Sequence, residues 1–384
     1  MRALRALLLV LVAVATVVVP GATAHAAPGS CATPSGVYTD GTPWAQDLLA
    51  PQRIWPLTTG RGQRVAVLGT GVDAGNAQLA GRVSAGGSFG GLGSARQDCD
   101  GRGTIAAGIV AAKPLGSTTF VGLAPGATII PMRYTQTPGE PDPDRLAAAI
   151  DAAVHADATV VCVAVPSPTN STRLAAAVRS ALAHDVVVVS PALVARNGET
   201  AGPAYPTALP GVLGVAVTDR TGAPVSGGDR LDVAAPGADI VATSAGTDGH
   251  AGHRWPVTDP AAAAGYAAGG AALLRAYRSD LSAKQTVQRL EATAERATLP
   301  RDQRLGYGLI DPYAAVTAEP PGRATTHAAG PRTVAAAAPT PAEVDPRRAY
   351  VVVVGLGAVL AAIVATLLVA AVRRARANGW RPTR

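Results

Sequence analysis

The chain has 384 residues, 48% of them hydrophobic and 15% charged, with 33 Lys and Arg against 26 Asp and Glu for a formal charge of +7. A basic balance invites a nucleic-acid partner, but two arginines near the start and five near the end account for the whole excess. The residues between them are formally neutral, which excludes that partner class, and no spacing resembles a metal site, so neither metal nor cofactor is expected.

Taken in chain order, Arg2 and Arg5 precede an apolar run from Ala6 to Val19, and Ala24-His25-Ala26 supplies the small-x-small pattern of a signal-peptidase site. Residues 1–26 therefore read as a secretory signal peptide, with the mature chain starting near Ala27. Residues 27–316 have the composition of one globular domain. Within it Arg64 to Leu68, Ile129 to Met132, Thr159 to Val165, Val186 to Val189 and Val212 to Val217 read as strands, apolar enough to be covered on both faces. Leu146 to His155 and Arg173 to His184 read as amphipathic helices between them, the first with Asp142 as N-cap and Pro143 at its first position. Strand-helix-strand alternation predicts a parallel sheet with right-handed crossovers and a functional site at the carboxyl ends of the strands.

Three cysteines, Cys31, Cys99 and Cys162, fall in an exported region, where thiols are usually oxidised. Cys162 lies within an apolar run, as a small buried thiol does. That leaves Cys31 and Cys99 as the expected disulfide, which contributes up to about 4 kcal/mol in the chain-entropy model. Residues 317–349 are rich in Pro, Ala and Thr and cannot bury a core, so they read as a flexible stalk. Residues 350–372 carry no charge and, at about 34 Å of helix, are long enough to cross a bilayer. Five arginines follow in residues 373–384, against Arg347 and Arg348 before the span, so the tail is expected in the cytoplasm and the domain outside.

Five motifs stand in order along the domain: Val65-Ala66-Val67-Leu68-Gly69-Thr70-Gly71-Val72, Asp98-Cys99-Asp100-Gly101-Arg102-Gly103-Thr104, Gly122-Leu123-Ala124-Pro125-Gly126-Ala127, Ala234-Ala235-Pro236-Gly237 and Gly306-Tyr307-Gly308-Leu309-Ile310-Asp311-Pro312. In that order they resemble the subtilisin-like serine proteases, peptidase family S8, and within them the mycosins, membrane-anchored proteases associated with type VII secretion. The resemblance implies an α/β, three-layer subtilisin-like fold, a mostly parallel sheet flanked by helices, followed by the one C-terminal transmembrane helix.

The family's catalytic triad runs Asp, His, Ser: Ser attacks the carbonyl, His takes its proton, and Asp orients the imidazole. Carried over motif by motif, the Asp position is Gly69, the His position is Arg102, and counting back from Gly269-Gly270-Ala271-Ala272-Leu273-Leu274 puts the Ser position at Ala261. A guanidinium stays protonated at any accessible pH and cannot be a general base. Asp259, Pro260 and the alanines after them remain a sound helix start. The family's oxyanion Asn falls by direct count on Val194, with Asn197, three residues further on, as the alternative.

Asp73, Ser226, Ser244, His250 and His253 are the nearby polar groups from which a relocated site would be built, the two histidines reading as solvated residues of a Gly-rich loop. His155 and His184 read as structural helix ends, where a cation meets the dipole favourably. Asp98 and Asp100 are placed to pair with Arg102 in a surface charge cluster. The resulting expectation is a pseudoprotease that acts as a binding or scaffold component, its partners being type VII secretion membrane components. The alternatives are a peptide-binding module holding an extended chain in the vestigial cleft, and an active S8 endopeptidase using a non-standard site.

Overall fold

The computed structural model describes residues 37–136, 141–192, 203–225, 230–246, 252–296, 299–319 and 373–374. The chain divides into two units, Met1–Pro320 and Pro321–Arg384. The expected signal peptide and membrane span lie outside the described residues, as does nearly all of the stalk and tail. Among the described residues no helix is long and apolar enough to cross a membrane.

The strands are β1 (Arg64–Gly69), β2 (Gly87–Ser88), β3 (Thr128–Arg133), β4 (Val160–Val163), β5 (Val187–Pro191), β6 (Leu213–Thr218), β7 (Val233–Pro236), β8 (Ala238–Ala242) and β9 (His253–Thr258). The helices are α1 (Trp44–Leu49), α2 (Arg102–Ala111), α3 (Pro143–His155), α4 (Thr172–Ala183), α5 (Pro260–Tyr277), α6 (Ala283–Ala292) and α7 (Pro312–Thr317). All five expected strands and both expected helices are present within a few residues of their expected ends; the run from Thr159 to Val165 keeps ladder geometry only over β4.

Seven strands form one parallel sheet in the order β2-β3-β1-β4-β5-β6-β7, and β8 and β9 form a separate antiparallel pair. Side chains of a strand alternate between faces, and β1 shows the consequence. Val65 and Val67 join Cys162, Val187 and Val189 in the core under α2 and α5, whereas Ala66 and Leu68 join Ile130, Val161 and Val163 against α3 and α4. Helices therefore cover both faces, giving the three layers expected.

Local chemistry starts the helices where it should. The Asp142 carboxylate accepts from the N–H groups of Asp144 and Arg145, and Pro143 fills the first position of α3. Ser171 caps α4 through the Leu174 N–H, and Ser282 with Gln285 forms a reciprocal capping box on α6. α5 runs through the core with every residue from Pro260 to Leu274 buried. Its small residues permit close packing: a Cβ at Gly265 would stand 3.1 Å from the Ala106 carbonyl of α2.

The last element of the domain is clamped. Arg289 of α6 donates from Nε to the Ala315 carbonyl and from a terminal nitrogen to the Ala318 carbonyl, at the end of α7. From the other side the Arg53 guanidinium lies 3.8 Å from the Tyr313 ring centroid.

Candidate functional site

The sheet order reverses direction at β1, which lies between β3 and β4. In open parallel sheets the crevice at such a switch point, beyond the carboxyl ends of the strands, is where ligands bind. Gly69 ends β1 at this edge, in register with Arg133 of β3, and its carbonyl accepts from the Tyr134 N–H at 3.0 Å and the Thr135 N–H at 3.3 Å. A Cβ at Gly69 would meet Ala164 Cβ at 3.2 Å and Val165 Cγ2 at 3.4 Å.

The start of α2 is bonded to the same edge. The Gly103 N–H donates to Thr70 Oγ1 at 3.3 Å, and the Gly71 carbonyl occupies the place of a Cβ at residue 103, 1.8 Å from where that atom would be. Only glycine fits there. Arg102 is the first residue of α2 and is 6% exposed, its Nε 3.5 Å from Asp100 Oδ1.

Asp98 anchors this turn. One carboxylate oxygen accepts from the Gly101 N–H at 2.9 Å, and the other accepts from both the N–H and the hydroxyl of Thr104 at 2.9 and 2.7 Å. Burial nonetheless outweighs these hydrogen bonds and raises the Asp98 pKa above the usual carboxylate value.

α5 begins at the same edge of the sheet. The Asp259 N–H donates to the Gly237 carbonyl at 2.8 Å, and the Gly237 N–H donates to the carbonyl of Thr218, the last residue of β6. Asp259 Oδ1 accepts from the Ala261 N–H at 3.0 Å, so the expected cap is present, and Ala261 is fully buried. Gly69, Arg102 and Ala261 thus all lie at the carboxyl edge, the last two each four residues before the contact between Ala106 and Gly265.

Chemically this edge offers a bare backbone, a guanidinium held by Asp100 and a methyl group. None of the three is a nucleophile or a base at accessible pH. Tyr134 lies alongside: it is fully buried, its hydroxyl donates to the Val165 carbonyl, and burial raises its pKa while the Arg102 charge acts in the opposite direction.

Two sequence expectations require correction. Asp98 and Asp100 do not share Arg102 in a surface cluster; Asp100 takes the guanidinium, the pair is largely buried, and Asp98 is turned to the backbone of the α2 turn. His253 is not a solvated loop residue, because it opens β9 opposite Ala242 and is fully buried.

Among the described residues, Asp73 and Ser244 are bonded to backbone groups and not to a histidine. Asp73 accepts from the Gly75 and Gly246 N–H groups, and Ser244 Oγ donates to the Ala245 carbonyl. Ser226, His250, Val194, Asn197 and Cys31 lie outside the described residues. His155 and His184 sit at helix ends, each with Nδ1 against the carbonyl four residues earlier, at 2.7 and 2.8 Å. Cys162 is buried and free, as expected, and burial raises its thiol pKa to about 12.

The subtilase family model matches residues 60–308. Mycosin-4 of Mycobacterium tuberculosis is 33% identical over 365 residues, covering 84% of this chain and 80% of that protein. The solved structure of the MycP3 protease from the type VII (ESX-3) secretion system is 31% identical with a TM-score of 0.66, covering 76% of this chain and 93% of that one. MycP1 from Mycobacterium smegmatis is 29% identical with a TM-score of 0.63, over 76% and 89% of the two chains. The parallel sheet with helices on both faces and these matches lead to one assignment: the chain belongs to the subtilase family and is similar to its mycosins.

Proposed function

We propose that this chain is a catalytically inactive mycosin relative that serves a type VII secretion assembly as an extracytoplasmic binding or scaffold component. The observation that carries the reading is the edge at which Gly69, Arg102 and Ala261 occupy the positions carried over from the family's Asp, His and Ser. The helix starts and caps around them are intact, so the frame is kept where the reactive groups are gone. The secretion link rests on the relatives, two of whose structures are described as parts of type VII systems.

A peptide-holding cleft is less well supported. Residues 161–167 beyond the switch point are buried, the Val165 carbonyl is taken by Tyr134, and Ser167 exchanges backbone hydrogen bonds with Tyr205. To test the leading reading, the full-length chain is cross-linked in its native membrane, isolated and analysed by mass spectrometry. Membrane components of the secretion system are expected in the isolate; their repeated absence, with the bait recovered intact, counts against the proposal.

The proposal includes the exported topology: signal peptide 1–26, domain 27–316, stalk 317–349, span 350–372 and cytoplasmic tail 373–384. It also includes a bridge between Cys31 and Cys99. Support for the bridge comes from the described cysteines: Cys162 is buried and free, and Cys99 is not a free thiol. A non-reducing digest of protein exported to the cell surface is expected to yield a Cys31–Cys99 cross-linked peptide that separates on reduction. Recovery of both residues as alkylated thiols, without prior reductant, would count against both oxidation and export.

A further inference from the structure

Arg133 closes β3 at the carboxyl edge, beside the switch point, and is 9% exposed. Its Nη1 donates to the Ser94 carbonyl at 3.3 Å, and its Nε is buried without a protein acceptor among the described residues. A guanidinium cannot escape burial by losing its proton, and a buried charge facing one long carbonyl contact is strongly unfavourable. Among the described residues, the neighbouring carboxylates are already engaged: Asp98 with Gly101 and Thr104, Asp100 with Arg102, and Asp142 with the start of α3 and with Arg145.

The segment over Arg133, Gly86-Gly87-Ser88-Phe89-Gly90-Gly91-Leu92-Gly93-Ser94, contains five glycines. A Cβ at Gly93 would stand 3.8 Å from Arg133 Nη1, and one at Gly90 would stand 2.6 Å from Arg145 Nε. The arch therefore brings bare, largely exposed backbone over two guanidiniums, and a Cβ at Gly90 would crowd that of Arg145. With Nη1 held by Ser94, the Nε side of the Arg133 fork is the part left to pair, and such a fork matches the two oxygens of a carboxylate.

We propose that Arg133, under this glycine arch, binds a carboxylate supplied from outside the chain. The inference goes beyond the pseudoprotease reading and holds whether or not the neighbouring edge can cleave peptides.

The test uses the full-length chain in detergent at constant ionic strength, with chloride exchanged for acetate, or with a short peptide added as its free acid or its C-terminal amide. Ligand that binds the folded state raises the thermal midpoint by mass action. The wild type is expected to show that rise with carboxylate. Arg133→Met is expected to melt at or above the wild type without carboxylate and to show no rise with it. Arg133→Lys, which keeps the charge and loses the fork, is expected to bind at least tenfold more weakly and stands in should the Met variant not fold.

A free-acid peptide acting at tenfold lower concentration than acetate, with the amide inert, assigns a polypeptide terminus. Equal action of acetate and free-acid peptide assigns a small carboxylate. No rise in the wild type, an equal rise in Arg133→Met, or unweakened binding by Arg133→Lys overturns the proposal.

Discussion

Purified full-length chain is expected to hydrolyse an unfolded protein or a chromogenic peptide no faster than the same solution without it. In subtilisin, a member of this family, loss of the Ser or the His alone lowers turnover about a millionfold, and what remains comes from oxyanion stabilisation and binding. Here Gly69, Arg102 and Ala261 supply no carboxylate, base or hydroxyl, so the expected rate falls at least that far below a working mycosin. The reverse experiment sharpens the point. Combining Gly69→Asp, Arg102→His and Ala261→Ser is expected to leave the chain at least about a hundredfold short of an active relative, the cost of one missing oxyanion donor, if the count to Val194 is correct. Full activity in the triple variant would show that a donor such as Asn197 is in place; turnover by the unaltered chain, abolished by one substitution within it, would refute the inactive reading altogether.

Asp98 carries the second large effect. Asp98→Ala removes the acceptor of three buried hydrogen bonds at the start of α2, leaving the Gly101 and Thr104 donors unpaired, and is expected to cost about 3 kcal/mol of folding stability. The pH dependence has a defined sign. Because burial raises the folded-state pKa above the ordinary carboxylate value of 3.8, the folded chain holds this proton more tightly than the unfolded one. The stabilising contribution is therefore complete below pH 3.8 and is lost as pH rises through the folded-state value. Urea unfolding of the wild type and Asp98→Asn, in steps from pH 4 to 8, should show the wild type losing stability relative to the variant as pH increases. A gap that widens in favour of the wild type would mean that the hydrogen bonds overcome burial and that the carboxylate is depressed instead.

Much of the sheet was legible because its strands are short apolar runs, and α3 and α4 because each has one apolar face. α2 escaped the same reading for a physical reason: all ten of its residues are buried, so it has no polar face to set a period, and it starts at Gly101 without a side-chain cap of its own. Its cap arrives from Asp98, outside the local pattern, which is why the charge of Asp98 was first assigned to Arg102. β8 and β9 leave no local pattern because their pairing joins residues on either side of a Gly-rich segment, and His253 follows that segment directly in sequence. For the site, the motifs located Gly69, Arg102 and Ala261, while Tyr134 and Arg133 were hidden at the end of a strand chosen for its apolar residues. Only the parallel register, which sets Arg133 level with Gly69, brings those two into view.

The clamp on α7 determines how the domain would bear mechanical load. Tension arriving from the chain beyond Glu319 meets the Arg289 bonds to Ala315 and Ala318 before it can unwind the short helix. Force is thereby shared with α6, and Arg53 against Tyr313 adds a second brace from the opposite end of the sequence.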